Sequence, residues 1–161
     1  MRHIISALVE NRAGVLSRIS GLFARRGFNI DSLAVGETDD PKISRITIIV
    51  NGDEHIADQV TKQLNKLIDV LKVKSLTHIE TTRRELVLIK VKADEKQRGE
   101  IIDIARIMDC DIVDASHSTL MLEFVNRPER VDLLIDLLRK YKILEIARTG
   151  MVALQKGPDA I

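Results

Sequence analysis

The chain has one cysteine, no tryptophan, one tyrosine and three phenylalanines among its 161 residues. A single thiol rules out an internal disulfide framework and any metal cage made of cysteines alone. It also rules out the C-x-x-C loop of a metal chaperone. Cys110 lies in "MDCDIV", next to apolar residues, and reads as a small core side chain and not a reactive thiol. So few aromatics argue against RNA recognition by base stacking on a sheet. Charge of one sign is missing as well: 25 basic and 24 acidic residues give a formal net charge of +1. No strong field draws nucleic acid or a membrane surface. No apolar run approaches the ~18 residues of a membrane helix. The start, "MRHIISALVEN", lacks an apolar core followed by a small-residue cleavage site. The expectation is a cytoplasmic protein that contacts neither nucleic acid nor membrane.

Catalytic motifs are equally scarce. There is no phosphate-binding P-loop, no G-x-G-x-x-G and no G-x-S-x-G. His3, His55, His78 and His117 are far apart, and none has a partner at metal-ligand spacing. Asp39-Asp40 falls in a turn and Asp53-Glu54 at a helix start, where turn chemistry and capping account for them. "SHST" is explained as a turn in the same way. The expectation is no catalytic residue, no metal ligand and no cofactor on this chain.

What the chain does have is an apolar period that keeps changing. "HIISALVE" (3–10) reads as a strand ended by Asn11. Val15, Ile19 and Leu22, with Leu16 and Phe23 beside them, form a helical stripe that Gly27 stops after Arg25-Arg26. "NIDSLAVGET" (29–38) and "ISRITIIV" (43–50) form a hairpin across "DDPK". Asp53 caps a helix carrying Ile56, Val60, Leu64 and Leu67, and "IDVLKVKSL" (68–76) closes as a strand. The same order then returns. A strand (84–92) leads to a helix with Ile101, Ile104, Ala105 and Met108. Two strands (110–116 and 119–125) lead to a helix opened by Pro128 and a strand (142–148). A short extra strand is read over 150–155. The fold class is α+β, two tandem ferredoxin-like βαββαβ domains. The division is 1–76, a polar linker 77–83, and 84–161. Each half is small and covers one sheet face with helices, so a two-fold homodimer is expected.

One stretch invites a ligand. In "ENRAGVLSRISGLFARRGFNI" the chain passes from strand to helix through Ala13-Gly14. Gly14 allows close backbone approach. The first amides of the helix, through Ser17, lack partners within it and suit a carboxylate. Asn11 and Asn29 each offer donor and acceptor to a zwitterion. They fall at opposite ends of the sheet, ~17 Å apart for an ordinary strand. Antiparallel pairing of two subunits would bring Asn29 of one beside Asn11 of the other. On spacing alone, a cap, a turn and a strand entry also explain these residues.

The motifs "N-x-x-G-x-L-S-R", "R-G-[FY]-N-I-[DE]-S-L" and "T-D-D-P", and the run from Val9 to Val50 that holds them, closely resemble the small, regulatory subunits of acetolactate (acetohydroxyacid) synthase. The first half is similar to the ACT domain, an amino-acid-sensing module, and the resemblance continues more weakly to residue 157. It implies a non-catalytic partner of a large subunit that carries thiamine diphosphate, Mg²⁺ and FAD. It implies activation of that subunit and feedback inhibition by valine, leucine or isoleucine. The effector contacts it implies fall on Asn11, Ala13, Gly14, Val15, Leu16 and Ser17, and across a dimer on Asn29 and Ile30. Many relatives carry proline at Ala13 and threonine at Ala34. Two other readings stay open: a stand-alone ACT-type sensor of another pathway, and a small ferredoxin-like phosphatase using the Arg and Asn of "NRAG".

Overall fold

The computed structural model describes residues 1–161. The chain divides into two compact units, one of Met1–Thr82 with Met151–Ile161 and one of Arg83–Gly150. The first unit opens β1 (Arg2–Glu10), α1 (Val15–Arg26), β2 (Ile30–Glu37), β3 (Ile43–Asn51), α2 (Glu54–Leu64) and β4 (Val70–Ser75). Its sheet is antiparallel, in the order β2-β3-β1-β4. Alternation drives the packing, because successive strand side chains face opposite ways. Ile5, Ala7 and Val9 of β1 join Ile46, Ile48 and Val50 of β3 beneath Val15, Ile19, Leu22 and Phe23 of α1 and Val60 and Leu64 of α2. Gly27 ends α1 at φ 66°, a left-handed conformation that glycine takes without steric cost. Asp53 Oδ1 accepts the Ile56 amide at 2.9 Å and starts α2. That helix stops at Leu64, so Leu67 reaches the core from the following turn.

The second unit repeats the order with β5 (Thr81–Lys92), α3 (Arg98–Met108), β6 (Asp111–Ala115), β7 (Thr119–Asn126), α4 (Pro128–Leu138) and β8 (Ile143–Arg148). The strand order is β6-β7-β5-β8. Val87, Ile89 and Val91 pack with Leu120, Leu122 and Phe124 under Ile101, Ala105 and Met108 of α3 and Val131, Leu134 and Leu138 of α4. Cys110 packs beside this core, and its Sγ donates to the Glu123 carbonyl at 3.1 Å. Burial, with the charges of Asp111 and Glu123, pushes its thiol up to about 12, so it stays protonated and unreactive at neutral pH.

Two boundaries differ from the sequence reading. The stretch 77–83, expected as a linker, already contains the start of β5 at Thr81. The last strand, β9 (Val152–Gln155), expected with the second half, belongs elsewhere: residues 151–161 pack in the first unit. Met151 and Ala153 cover Ile4, Ile49 and Leu76 on the sheet face turned away from α1 and α2. The Met151 amide donates to Ser32 Oγ at 3.2 Å, and the Lys156 amide to the Glu80 carbonyl at 2.8 Å. Apolar residues left on that face explain the difference, since an uncovered Ile4–Ile49–Leu76 patch would face water.

Candidate effector site

The site begins where β1 stops. The Asn11 amide donates to the Lys42 carbonyl at 2.7 Å, which fixes the chain to the foot of β3. Asn11 Nδ2 then donates to Glu37 Oε1 and to the Pro41 carbonyl, both at 2.9 Å. Both partners are acceptors, so the orientation of the side-chain amide follows from its bonds. Its NH₂ group is spent on the protein, and Oδ1 accepts from no protein donor. Asn11 was expected to offer both donor and acceptor; the structure leaves it the acceptor.

Gly14 precedes α1 at φ 87°, ψ −14°. A side chain there would be strained, and its Cβ would stand 3.1 Å from Arg18 Nη1. No side chain caps α1, and its first turn holds no acidic residue. The Val15 amide makes a long 3.4 Å contact to the Arg12 carbonyl, and the Arg18 amide donates to the Gly14 carbonyl at 3.0 Å. Between them the amides of Leu16 and Ser17 donate to no protein acceptor. These free N–H groups and the helix dipole together favour an anion.

Beneath this mouth lies a carboxylate that the sequence reading missed. The Asp69 side chain is 2% exposed, in the turn before β4. Arg12 donates to its Oδ1, through Nε at 3.1 Å and through Nη2, while Arg18 Nε donates to Oδ2 at 2.5 Å. The Asp69 carbonyl accepts the Glu10 amide at 2.9 Å. The Arg18 guanidinium, and then that of Arg12, hold the Asp69 carboxyl below the usual carboxylate range. Arg12 also meets Glu10 Oε2 at 2.7 Å. With two carboxylates engaging it, Arg12 is not offered to a phosphate, contrary to what a phosphatase reading of "NRAG" requires. Arg18 was visible as the last residue of the "G-x-L-S-R" motif. Nothing local marks Asp69, fifty-one residues away.

The eight expected site residues fall in two places. Asn11, Ala13, Gly14, Leu16 and Ser17 are exposed around the helix mouth. Val15 joins them through its backbone alone, because its side chain is 4% exposed in the core. Asn29 and Ile30 stand at the far end of the sheet. Ile30 pairs with Val50, which pairs with His3, whereas Asn11 follows Glu10. Seven strand residues at ~3.3 Å each separate the two ends by roughly 23 Å. This is longer than the expected ~17 Å, because β1 runs for nine residues. No three His, Cys, Asp or Glu side chains gather as a metal site, and no helix is long and apolar enough to cross a membrane.

Comparison with known proteins shows the family. Residues 5–72 match the family model described as the AHAS small subunit-like ACT domain, and residues 84–157 match the one described as the small subunit of acetolactate synthase. The chain is 50% identical over 156 residues to the probable acetolactate synthase small subunit of Methanothermobacter thermautotrophicus, covering 96% of this chain and 93% of that protein. It belongs to the acetolactate synthase small-subunit family. Small subunits of Archaeoglobus fulgidus (a probable one; 48% identity, 98% of each chain) and Mycolicibacterium smegmatis (45%, 99% of this chain and 94% of that one) are similar along their lengths. The crystal structure of the acetolactate synthase small subunit of Thermotoga maritima superposes with a TM-score of 0.88 at 39% identity, covering 99% of both chains. The fold is thus an ACT domain followed by a second βαββαβ unit, and the chain is of the small, regulatory kind.

Proposed function

We propose that this chain activates a thiamine-diphosphate-dependent acetolactate synthase large subunit and makes it sensitive to valine or a related branched-chain amino acid. In this reading the chain carries no active site of its own, and thiamine diphosphate, Mg²⁺ and FAD reside on the large subunit. The observation that carries the effector half is the open mouth of α1: two unpaired amides, an uncapped Gly14 and the free Oδ1 of Asn11. The amides suit the carboxylate of an amino acid, and Oδ1 suits its ammonium. Leu16, 45% exposed, offers apolar surface to the ligand side chain.

A homodimer completes the pocket. β2 is an edge strand, and its outer side has no partner within its sheet. Two copies paired antiparallel along this edge about a two-fold axis would set Ile30 of one against Glu37 of the other. Asn29 of the partner subunit then stands opposite Thr38, ~6 Å from Glu37, the residue that Asn11 already grips. A pocket shared in this way lets an effector change how the chains sit together, which is what inhibition at a distance requires. Discrimination among side chains is modest, because each methylene is worth about 1–3 kcal/mol. Valine should therefore be separated from alanine better than from leucine.

Mixing variants tests the shared site. Asn11→Ala and Asn29→Ala homodimers are each expected to lose valine binding by calorimetry. A dimer holding one copy of each variant carries one intact pocket and one doubly damaged pocket. It should recover binding at one valine per two chains, with partial valine inhibition when added to the large subunit. Mixed dimers that bind no better than either parent would sink the cross-subunit site. Failure of the wild-type chain to raise large-subunit activity would sink the regulatory reading itself.

A further inference from the structure

Arg18 is the residue of the effector stretch to which the reading above gives no task. We infer that Arg18 binds the carboxylate of the effector and that Asp69 is the positioning residue that aims it. The inference rests on the effector reading and deepens it.

Asp69 takes Arg18 by one atom only. Its Oδ2 accepts from Nε, while Nη1 and Nη2 donate to no protein acceptor. A guanidinium held by its inner nitrogen presents its outer pair in a fixed plane, the geometry that grips a carboxylate by two parallel bonds. The plane lies over Gly14: Nη1 would be 3.1 Å from a Cβ there. Gly14 thus leaves room for the guanidinium as well as for the left-handed turn. An unanchored arginine of the first helical turn would sweep through solvent; a carboxylate 2% exposed holds this one still.

Electrostatics points the same way. The positive end of a helix disfavours a cation. Yet Arg18 stands there, and no acidic residue occupies the first turn of α1 to offset it. Arg12 and Arg18 against Glu10 and Asp69 sum to zero formal charge, so these ion pairs do not answer the partial positive charge of the helix end, and the further carboxylate nearby, Glu37, is bonded to Asn11. A ligand carboxylate answers it, with the Leu16 and Ser17 amides on one side and the guanidinium fork on the other. The ligand class follows: a free α-carboxylate is needed, and a carboxamide, with no charge to meet the guanidinium, should bind poorly.

The test uses the full-length chain in calorimetry with valine and with valinamide. The wild type is expected to prefer valine by about 10–100-fold, the range of a charge-assisted hydrogen bond. Arg18→Gln should weaken valine several-fold or more and leave valinamide within about threefold, so that the preference shrinks to what the helix amides alone supply. Asp69→Asn should lower the preference part-way, because Arg18 keeps its charge and loses its anchor. The double variant Arg18→Gln/Asp69→Asn, which removes both charges and strands neither, must show the same reduced preference as Arg18→Gln. Equal losses for valine and valinamide in Arg18→Gln and the double variant would mean a merely structural role and overturn the inference. So would valine binding that Arg18→Gln leaves untouched. A wild type that binds no valine overturns the effector reading, and this one with it; the other two outcomes leave that reading standing.

Discussion

Gly14→Asp is expected to weaken valine binding by about 100-fold or more and to remove valine inhibition of the assembled enzyme. Two effects act together. The new carboxylate lies within reach of Arg18 Nη1 and the free amides, so the protein supplies its own anion where the ligand's belongs. A carboxylate arriving from solvent then meets a like charge; at ~4 Å and an effective dielectric near 20 this costs about 4 kcal/mol, where 1.4 kcal/mol is a factor of ten. Aspartate is among the residues best tolerated at positive φ, so the turn survives. Gly14→Ala separates the causes, because it brings the backbone strain without the charge. Calorimetry on both variants, and activity of each complex with and without valine, checks the expectation. Full valine inhibition in folded Gly14→Asp would remove the helix mouth from consideration as the effector site.

Ile48→Ala should lower stability by about 2–5 kcal/mol, the range for deleting a buried branched side chain and leaving its cavity. Ile48 is fully buried in the middle of β3, directly opposite Ile5 on one side and Leu33 on the other. It packs in the cluster that joins both helices to the sheet. In a unit of this size each kcal/mol moves the melting temperature by about 4–8 °C, so the midpoint should fall by about 10–30 °C. Ile107→Ala makes the contrast. Its side chain is 78% exposed on α3, and its loss should change stability by less than about 0.5 kcal/mol. Urea titrations of the two variants beside the wild type measure both. A loss under about 1 kcal/mol for Ile48→Ala would contradict the packing described for β3.

Ile48 also shows why the fold was so readable. Ile46, Ile48 and Val50 alternate with polar or opposite-facing residues, and Val15, Ile19 and Leu22 recur at helical spacing. Each segment therefore declares its own period, and the repeated order of the elements declares the architecture. The helix mouth was legible for the same reason, since Gly14, the missing cap and Asn11 are neighbours in sequence. Asp69 was not. Its meaning comes from three segments, residues 10–12, α1 and the turn before β4, that meet only in the folded chain. The home of β9 was hidden too: four alternating residues announce a strand, but not the face it covers. Asn29 and Ile30 are a different case. Their place at the opposite end of the sheet from Asn11 follows from strand direction, the separation is longer than a typical strand implies, and their joint role with Asn11 waits on the mixed-dimer experiment.

The return of residues 151–153 to the first unit has a consequence for biosynthesis. The unit that begins at Met1 is discontinuous in sequence, with Arg83–Gly150 threaded into it as an insertion. On the ribosome, Ile4, Ile49 and Leu76 emerge early, whereas Met151 and Ala153 come near the end. At about 5–20 residues per second, the interval from Leu76 to Met151 is roughly 4–15 s. For that time the nascent chain carries a bare oily patch, and the first unit to emerge is among the last to be finished.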